Sequence, residues 1–133
     1  MQQIPRPPIR NRVSKQALRR VRYLFDILKV RQIAVDQWRM PHGFIVHGQL
    51  EDFLCSVDCI KQLEVWIAAE EVRKFGYSEF FLHVSYVPPH WDAEVKRYDG
   101  QLIVSCETET ESEATARLEA LISYVKATGL ASE

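Results

Sequence analysis

Hydrophobic residues after Ser14 recur at three- and four-residue spacing, a period that is typical of an amphipathic helix. Ser14 suits the N-cap position because its hydroxyl can accept a hydrogen bond from the first turn, so we predict a helix from Lys15. Its helical character should continue to about Arg39, because Pro41 and Gly43 then interrupt the pattern. The stripe predicted to be buried consists of Leu18, Val21, Phe25, Leu28, Val35 and Trp38.

Two further apolar segments follow this stripe. Residues 44–46 lie between two glycines and predict a short strand or a buried linker. Residues 58–75 predict a long helix, with Asp58 as its N-cap and Gly76 as its C-terminal stop. Residues 44–46 form the junction between the basic N-terminal segment and the rest of the chain. The basic helices should dock on the rest of the chain there, because a segment of about 25 residues cannot bury its own apolar stripe.

The pattern then changes to that of β-strands. Residues 80–87 are apolar and β-prone, and the pair Pro88 and Pro89 ends the run. Residues 91–98 and 101–107 flank Asp99-Gly100, which is a strong signal for a tight β-hairpin. The sequence therefore predicts three antiparallel strands.

A last helix is predicted over residues 111–128. Thr110 and Glu113 form a capping box in front of it, and Gly129 terminates it. Its single apolar face comprises Leu118, Leu121, Ile122 and Val125.

The order of these elements predicts an α+β fold, with a basic helical segment followed by an αβββα two-layer sandwich around a three-stranded antiparallel sheet. We divide the chain into a mobile basic arm (1–13), a basic helical segment (14–40) and an acidic αβββα sandwich (41–133).

Charge is divided unevenly between the two ends of the chain. Residues 1–40 carry ten Lys and Arg against two Asp, a net of +8, whereas residues 41–133 carry seven Lys and Arg against sixteen acids, a net of −9. Such asymmetry indicates that the basic segment binds a polyanion or an acidic protein surface. The alternative is that it packs on the acidic part of its own chain or of a sister chain, and the sequence leaves both open.

A helix-turn-helix pattern overlaps the basic segment. Its buried positions are matched by Leu24, Leu28, Val30, Val35 and Trp38, whereas Phe25 and Lys29 stand where a small residue and a glycine are usual. Over residues 19–39 the chain thereby resembles phage repressor and Cro-type helix-turn-helix domains. The same residues are equally consistent with one uninterrupted helix from Lys15 to Arg39.

The helix-turn-helix resemblance implies a DNA-binding surface. It places Arg31, Gln32 and Gln37 at the major groove, where arginine and glutamine side chains read base edges. The arginines that would contact phosphates or a minor groove are Arg6, Arg10, Arg12, Arg19, Arg20 and Arg22. Such phosphate contacts need no sequence readout, so non-specific DNA affinity does not depend on the recognition helix.

Residues 58–127 carry a second resemblance. Val65-Trp66, Phe75-Gly76-Tyr77, Trp91 and the run from Cys106 to Thr110 hold the matching positions. They are similar to the small αβββα "ABA sandwich" domains of phage proteins. The resemblance implies an accessory protein of a phage or mobile element and no established activity.

Two surfaces are candidates for binding a protein instead. Tyr86, His90 and Trp91 form an aromatic cluster that suits a binding hot spot, or that simply stabilises the turn between two strands. A second candidate is an acidic run that could mimic nucleic-acid phosphates toward a basic host protein, or that complements a helix dipole. These surfaces support the alternative function, an inhibitor or adaptor of a host system. The acidic run comprises Glu107, Glu109, Glu111 and Glu113.

Pairing of two edge strands could also join two copies as a homodimer, which would present two basic segments to a two-fold DNA site.

The sequence offers little for catalysis or for a metal. His42, His47, Cys55 and Cys59 lie within 18 residues, but their spacing does not match the usual zinc sites. There is no nucleophile elbow or phosphate-cradling glycine loop, so we predict a non-enzymatic protein without a cofactor or metal.

The sequence also bears on the compartment. No apolar run reaches the roughly 18–20 residues that span a bilayer. Three cysteines without a signal peptide predict the cytoplasm of a bacterial host cell.

Overall fold

A computed structural model of the chain describes residues 14–78, 80–97, 101–108 and 112–130, with Glu107 described by its backbone alone. The predicted arm (1–13), the hairpin tip at Asp99-Gly100 and the predicted cap Thr110 lie outside these residues. The described part is an α+β fold, which confirms the predicted fold class.

The described residues form four α-helices, one 3₁₀ turn and two three-stranded antiparallel sheets. In chain order the elements are α1 (Lys15–Leu28), β1 (Arg31–Ala34), β2 (Gln37–Arg39), the 3₁₀ turn (Pro41–Gly43), β3 (Ile45–His47), α2 (Asp52–Cys55), α3 (Val57–Phe75), β4 (Phe81–Val87), β5 (His90–Lys96), β6 (Leu102–Thr108) and α4 (Glu113–Thr128).

The first helix begins where the sequence predicts and ends earlier. The hydroxyl oxygen of Ser14 accepts a hydrogen bond of 3.0 Å from the backbone N–H of Ala17. At the other end Lys29 adopts the left-handed conformation, with a φ of 61°. The Val30 N–H then donates to the carbonyl oxygen of Phe25 at 2.9 Å, and the Val30 side chain packs against the core. This is a Schellman-type helix end, with lysine in the place that glycine usually takes.

The chain beyond Lys29 is a β-hairpin. The predicted helical character up to Arg39 is therefore wrong, both as one uninterrupted helix and as a helix-turn-helix. Strands β1 and β2 pair antiparallel across a turn at Val35 and Asp36, and the second helix of a helix-turn-helix is not formed. The left-handed Lys29 ends α1 and redirects the backbone. Val35, predicted to be buried, lies in the turn and is 69% exposed.

The first sheet (β1–β2–β3) docks on α1 through aromatic rings. The ring centroids of Trp38 and Phe25 are 4.8 Å apart, and those of Phe25 and Phe53 are 5.2 Å apart. The Trp38 indole N–H donates to the carbonyl oxygen of Gly48 at 2.8 Å. Gly48 has a φ of 138°, and a Cβ there would lie 3.0 Å from the sulfur of Cys59, so this position requires glycine.

Strand β3 lies at the predicted junction, and its placement confirms the prediction of a short strand over residues 44–46. Val46 is buried opposite Trp38 of β2. On its other side, the backbone N–H and C=O of His47 both bond to the side-chain amide of Gln62 on α3. The junction thereby joins the N-terminal elements to the rest of the molecule in one hydrophobic core.

The second sheet (β4–β5–β6) confirms the three predicted antiparallel strands. Before it, α3 is capped by Ser56 rather than by Asp58, because the Ser56 hydroxyl accepts from the Cys59 N–H and Asp58 lies in the first turn. The predicted end at Gly76 is confirmed by a left-handed C-cap.

Helix α4 lies at the centre of the fold. Its N-cap is Ser112, whose hydroxyl accepts from the Thr115 N–H and donates to the carbonyl oxygen of Leu54. The helix contacts β4, β5 and β6 as well as α1, α2 and α3. Because it packs against so many elements, it is buried on more than its predicted face. Its buried residues are Ala114, Ala116, Leu118, Ala120, Leu121, Ile122, Tyr124 and Val125.

Candidate nucleic-acid interface

The exposed face of α1 is basic. Exposed residues recur every three or four positions along α1 and its C-cap, so they lie on one side of the helix. Four of them carry a positive charge (Lys15, Arg19, Arg22 and Lys29) and one, Asp26, a negative charge. We call this set the α1 stripe. Within the described part of the chain, Arg19 and Arg22 have no ion-pair partner.

Arg20 points away from this stripe. Its guanidinium binds the carboxylate of Glu119 on α4 through two hydrogen bonds, of 3.0 and 2.7 Å. The hydrogen bond to Glu119 raises the pKa of Arg20 above its ordinary value. The sequence predicts that Arg20 contacts phosphate, whereas in the structure its guanidinium binds a carboxylate in the acidic part of its own chain.

The outer face of the first sheet carries two more arginines. Arg31 on β1 and Arg39 on β2 are direct cross-strand partners, and both are exposed. Among the described residues, neither arginine has a carboxylate partner. Like charges directly opposite each other on a sheet are destabilising, so a bound anion would relieve the repulsion between these two arginines.

Two arginines elsewhere in the fold bind carboxylates. Arg73 binds both carboxylate oxygens of Glu70, at 3.1 and 2.6 Å. Arg117 binds Glu64 and Glu113, with a shortest distance of 2.9 Å to each. Burial raises the pKa of Glu64, against the opposing effect of Arg117, whereas the hydrogen bond from Arg73 lowers the pKa of Glu70. Arg19, Arg22, Arg31 and Arg39 differ from these two arginines, because no carboxylate among the described residues neutralises them.

The other predicted DNA-binding residues are not on a recognition helix. Gln32 is exposed on β1 opposite Trp38, and Gln37 is half-buried on β2 opposite His47. Arg6, Arg10 and Arg12 lie outside the described residues. Sequence reasoning missed Lys15, Lys29 and Arg39 as members of the basic surface, although the spacing of the two lysines with Arg19 and Arg22 already indicated a shared face.

Of the three residues predicted to bind a protein, Tyr86 and Trp91 are in contact. The rings of Tyr86 and Trp91 lie 5.0 Å apart between their centroids, and Tyr86 is half exposed. His90 lies 3.5 Å from the carboxylate of Asp92, measured from its Nε2 atom. Trp91 is half-buried, and its indole N–H has no hydrogen-bond partner among the residues that the structure describes. The structure therefore brings the rings of Tyr86 and Trp91 together at one end of the second sheet, whereas His90 lies on the opposite face with Asp92.

The predicted acidic edge is only partly described. Glu109 and Glu111 lie outside the described residues, and Glu107 is placed by its backbone opposite Asp92. Glu113 binds Arg117 and lies in the first turn of α4, where a carboxylate also complements the helix dipole. Glu113 therefore stabilises α4.

Within the described ranges, no three His, Cys, Asp or Glu side chains are arranged to hold a metal ion. Of the helices that the structure describes, none combines the length and the apolar character needed to cross a membrane.

Comparison with known proteins adds no identity: the chain matches no protein-family model, no curated protein and no solved structure.

Proposed function

We propose that this protein is a non-enzymatic nucleic-acid-binding protein that contacts phosphates through the α1 stripe and through Arg31 and Arg39. The observation that carries the proposal is the Arg31–Arg39 pair. These residues lie directly opposite each other on the outer face of a sheet, and no described carboxylate neutralises them. A polyanion relieves the repulsion between such charges, and phosphates bind arginine strongly through charge-assisted hydrogen bonds.

The hairpin, rather than a recognition helix, is the element that would enter a groove. Alternate residues along a strand share a face, so Gln37 lies on the same face of β2 as Arg39. The major groove of DNA admits a two-stranded β-ribbon, in which glutamine and arginine side chains can reach base edges. Gln37 is then the candidate for base contact, whereas Arg31 and Arg39 supply charge.

Salt dependence of duplex binding tests this proposal. Affinity should fall steeply with salt, and the double substitution Arg31→Gln and Arg39→Gln should lower the slope of log affinity against log salt by about two. Lys61→Gln with Lys96→Gln is the matched control, because it removes the same charge from α3 and the second sheet. A folded wild-type chain that binds no duplex at low salt would refute the proposal.

A protein-binding adaptor is the second candidate function. It is favoured by the outer face of the second sheet, where Phe81, Val87 and Leu102 are 52%, 44% and 50% exposed beside the acids Asp92 and Glu94. Capture of a protein from nuclease-treated lysate supports this function if it is lost in Asp92→Lys, Glu94→Lys and kept in Arg31→Gln, Arg39→Gln. An assignment to phages or mobile elements, and to the bacterial cytoplasm, stays an expectation from the sequence.

A further inference from the structure

The outward side of α3 is apolar over two turns. Val65 is 58% exposed and Val72 is 50% exposed, and Ala69 between them is exposed as well. Ala68 is half-buried beside it. These residues recur at three- and four-residue spacing, so they lie on one side of the helix. We call this set (Val65, Ala68, Ala69 and Val72) the α3 stripe.

The charged residues in the same part of α3 lie away from this stripe. Residues 62–72 carry three charges, all of them glutamates. Glu70 and Glu71 are buried, and Glu71 accepts a hydrogen bond from the hydroxyl of Tyr124. The side chain of Glu64 is nearly buried and binds Arg117. This part of the helix therefore buries its carboxylates and exposes valine and alanine, which is the reverse of what is typical of a surface helix.

Helix formation does not explain the two exposed valines. Valine is a poorer helix former than alanine, lysine or glutamate, because its branched side chain loses freedom at χ1. Single exposed apolar residues are common, but contiguous apolar patches mark interaction sites. This patch continues past the end of the helix, where Phe75 and Tyr77 are more than half exposed. The α3 stripe is therefore suited to contact with another helix.

We propose that the α3 stripe joins two copies of this chain as an antiparallel helix pair. With a two-fold axis between Ala68 and Ala69, Val65 of each copy packs on Val72 of the other. The small alanine side chains at the axis allow the two helices to approach closely. The contact thereby lies on a helix and not on the edge strands that the sequence suggests for a homodimer.

Charge at the ends of the stripe favours a second copy in this orientation. Antiparallel packing brings the exposed Lys61 to Gly76 of the other copy, the C-cap of α3, where the helix end carries a partial negative charge. A parallel pair would instead bring Lys61 against Lys61 and the exposed Asp58 against Asp58. Each copy therefore offers the apolar surface and the helix end that the other one needs.

The area available fits a weak dimer. The exposed parts of Val65, Val72, Phe75 and Tyr77 on both copies, with the alanines between them, come to roughly 1,000 Å², which is the lower limit for a specific interface. We therefore expect a dissociation constant of about 10 μM.

Sedimentation equilibrium of the full chain, freed of nucleic acid by nuclease, tests the pair. The wild type should change from monomer to dimer between micromolar and millimolar concentration. Val65→Glu should weaken the dimer by at least about tenfold, because it places an unpaired carboxylate in the contact. Val87→Glu is the matched control: it adds the same charge at a half-exposed valine on β4 of the second sheet and should leave the dimer unchanged.

A paired substitution tests the orientation. In an antiparallel pair, Val65→Lys combined with Val72→Glu places opposite charges against each other across the contact, whereas within one copy the two positions are two turns apart and do not pair. The double variant should therefore dimerise at least about tenfold more tightly than Val65→Lys or Val72→Glu alone. No gain in the double variant would overturn the antiparallel pair.

Two other outcomes would also overturn the proposal. One is a wild type that stays monomeric at millimolar concentration; if Val65→Glu then lowers its melting temperature, another segment of the same chain covers the stripe. The other is an equal loss of dimer in Val65→Glu and Val87→Glu, with thermal unfolding showing both variants folded. Arg31→Gln, Arg39→Gln should lose duplex binding and keep the dimer, so this proposal and the proposed function fail separately.

Discussion

Arg20 and Glu119, ninety-nine residues apart in the chain, form an ion pair with two hydrogen bonds that connects α1 to α4. Tyr23 lies against the same contact, because its ring is 5.5 Å from the guanidinium of Arg20 and 5.6 Å from the ammonium of Lys126. The neighbouring Arg19 and Arg22 have no such partner among the described residues. Adjacent arginines on one helix thus have different roles, one in the fold and the others on the surface.

Alanine substitutions should separate these roles. Arg20→Ala should lower the free energy of unfolding by about 1 kcal/mol, a modest value because the Arg20 side chain is 43% exposed and solvent screens the pair. Arg19→Ala and Arg22→Ala should leave stability within about 0.5 kcal/mol and weaken duplex binding. Urea denaturation and duplex titration of the three variants check this. Equal stability losses for all three would contradict the distinction.

Replacing only one partner of the buried ion pair between Arg117 and Glu64 should strongly lower the free energy of unfolding. Both side chains are nearly buried, at 12% and 14% exposure, and burial already raises the pKa of Glu64. Arg117→Met leaves that carboxylate without its cation, so we expect a loss of about 3 kcal/mol.

Replacing both partners should cost less than replacing Arg117 alone. Arg117→Met with Glu64→Met removes the buried charges together, so its unfolding free energy should lie nearer to that of the wild type. A double variant less stable than Arg117→Met would show that packing rather than charge governs this site.

Acid should destabilise the protein partly through Glu70. The hydrogen bond from Arg73 lowers the pKa of Glu70 in the folded state below its unfolded value. Its contribution is therefore fully present above the unfolded pKa, which is about 4.3, and is lost as pH falls through the folded value. The difference in unfolding free energy between the wild type and Glu70→Gln should shrink between pH 6 and pH 2.5. A difference that grows on acidification would reverse the sign and contradict the assignment.

Local signals in the sequence predicted most of the helices and strands. Ser14, Gly76 and Gly129 act as the predicted caps, and the α4 positions predicted to be buried are buried. These features succeed because a cap or an apolar face is decided by a few adjacent residues.

The first sheet could not be predicted in the same way. Lys29 ends α1 without a glycine or proline, and the turn at Val35-Asp36 lacks the usual hairpin residues. The strands form because Trp38 and Val46 are buried against α1, α3 and each other, which is a tertiary effect. The basic surface was missed in part for the same reason, since Arg31 and Arg39 become neighbours only in the sheet.

Removing the first 41 residues should destabilise what remains. The fragment 42–133 loses α1 and β2, so Phe53 and Val46 are exposed where Phe25 and Trp38 covered them. We expect a lower melting temperature and a less cooperative transition, because one core spans both parts. Phe25→Ala in the full chain should cost about 3–5 kcal/mol in a single transition. A fragment that melts as cooperatively and as high as the full chain would show that the two parts are independent.

The left-handed Lys29 allows stability and ligand binding to be changed in opposite directions. Lys29→Gly should raise the free energy of unfolding by about 0.5–1 kcal/mol, because glycine adopts a φ of 61° without a Cβ clash and this gain exceeds the added entropy of the unfolded chain. Lys29→Ala keeps the Cβ and should be no more stable than the wild type. Both variants remove the same charge from the α1 stripe, so both should weaken duplex binding to the same extent. Urea denaturation with duplex titration measures the two effects, and an alanine variant as stable as the glycine variant would show that backbone strain at Lys29 is absent.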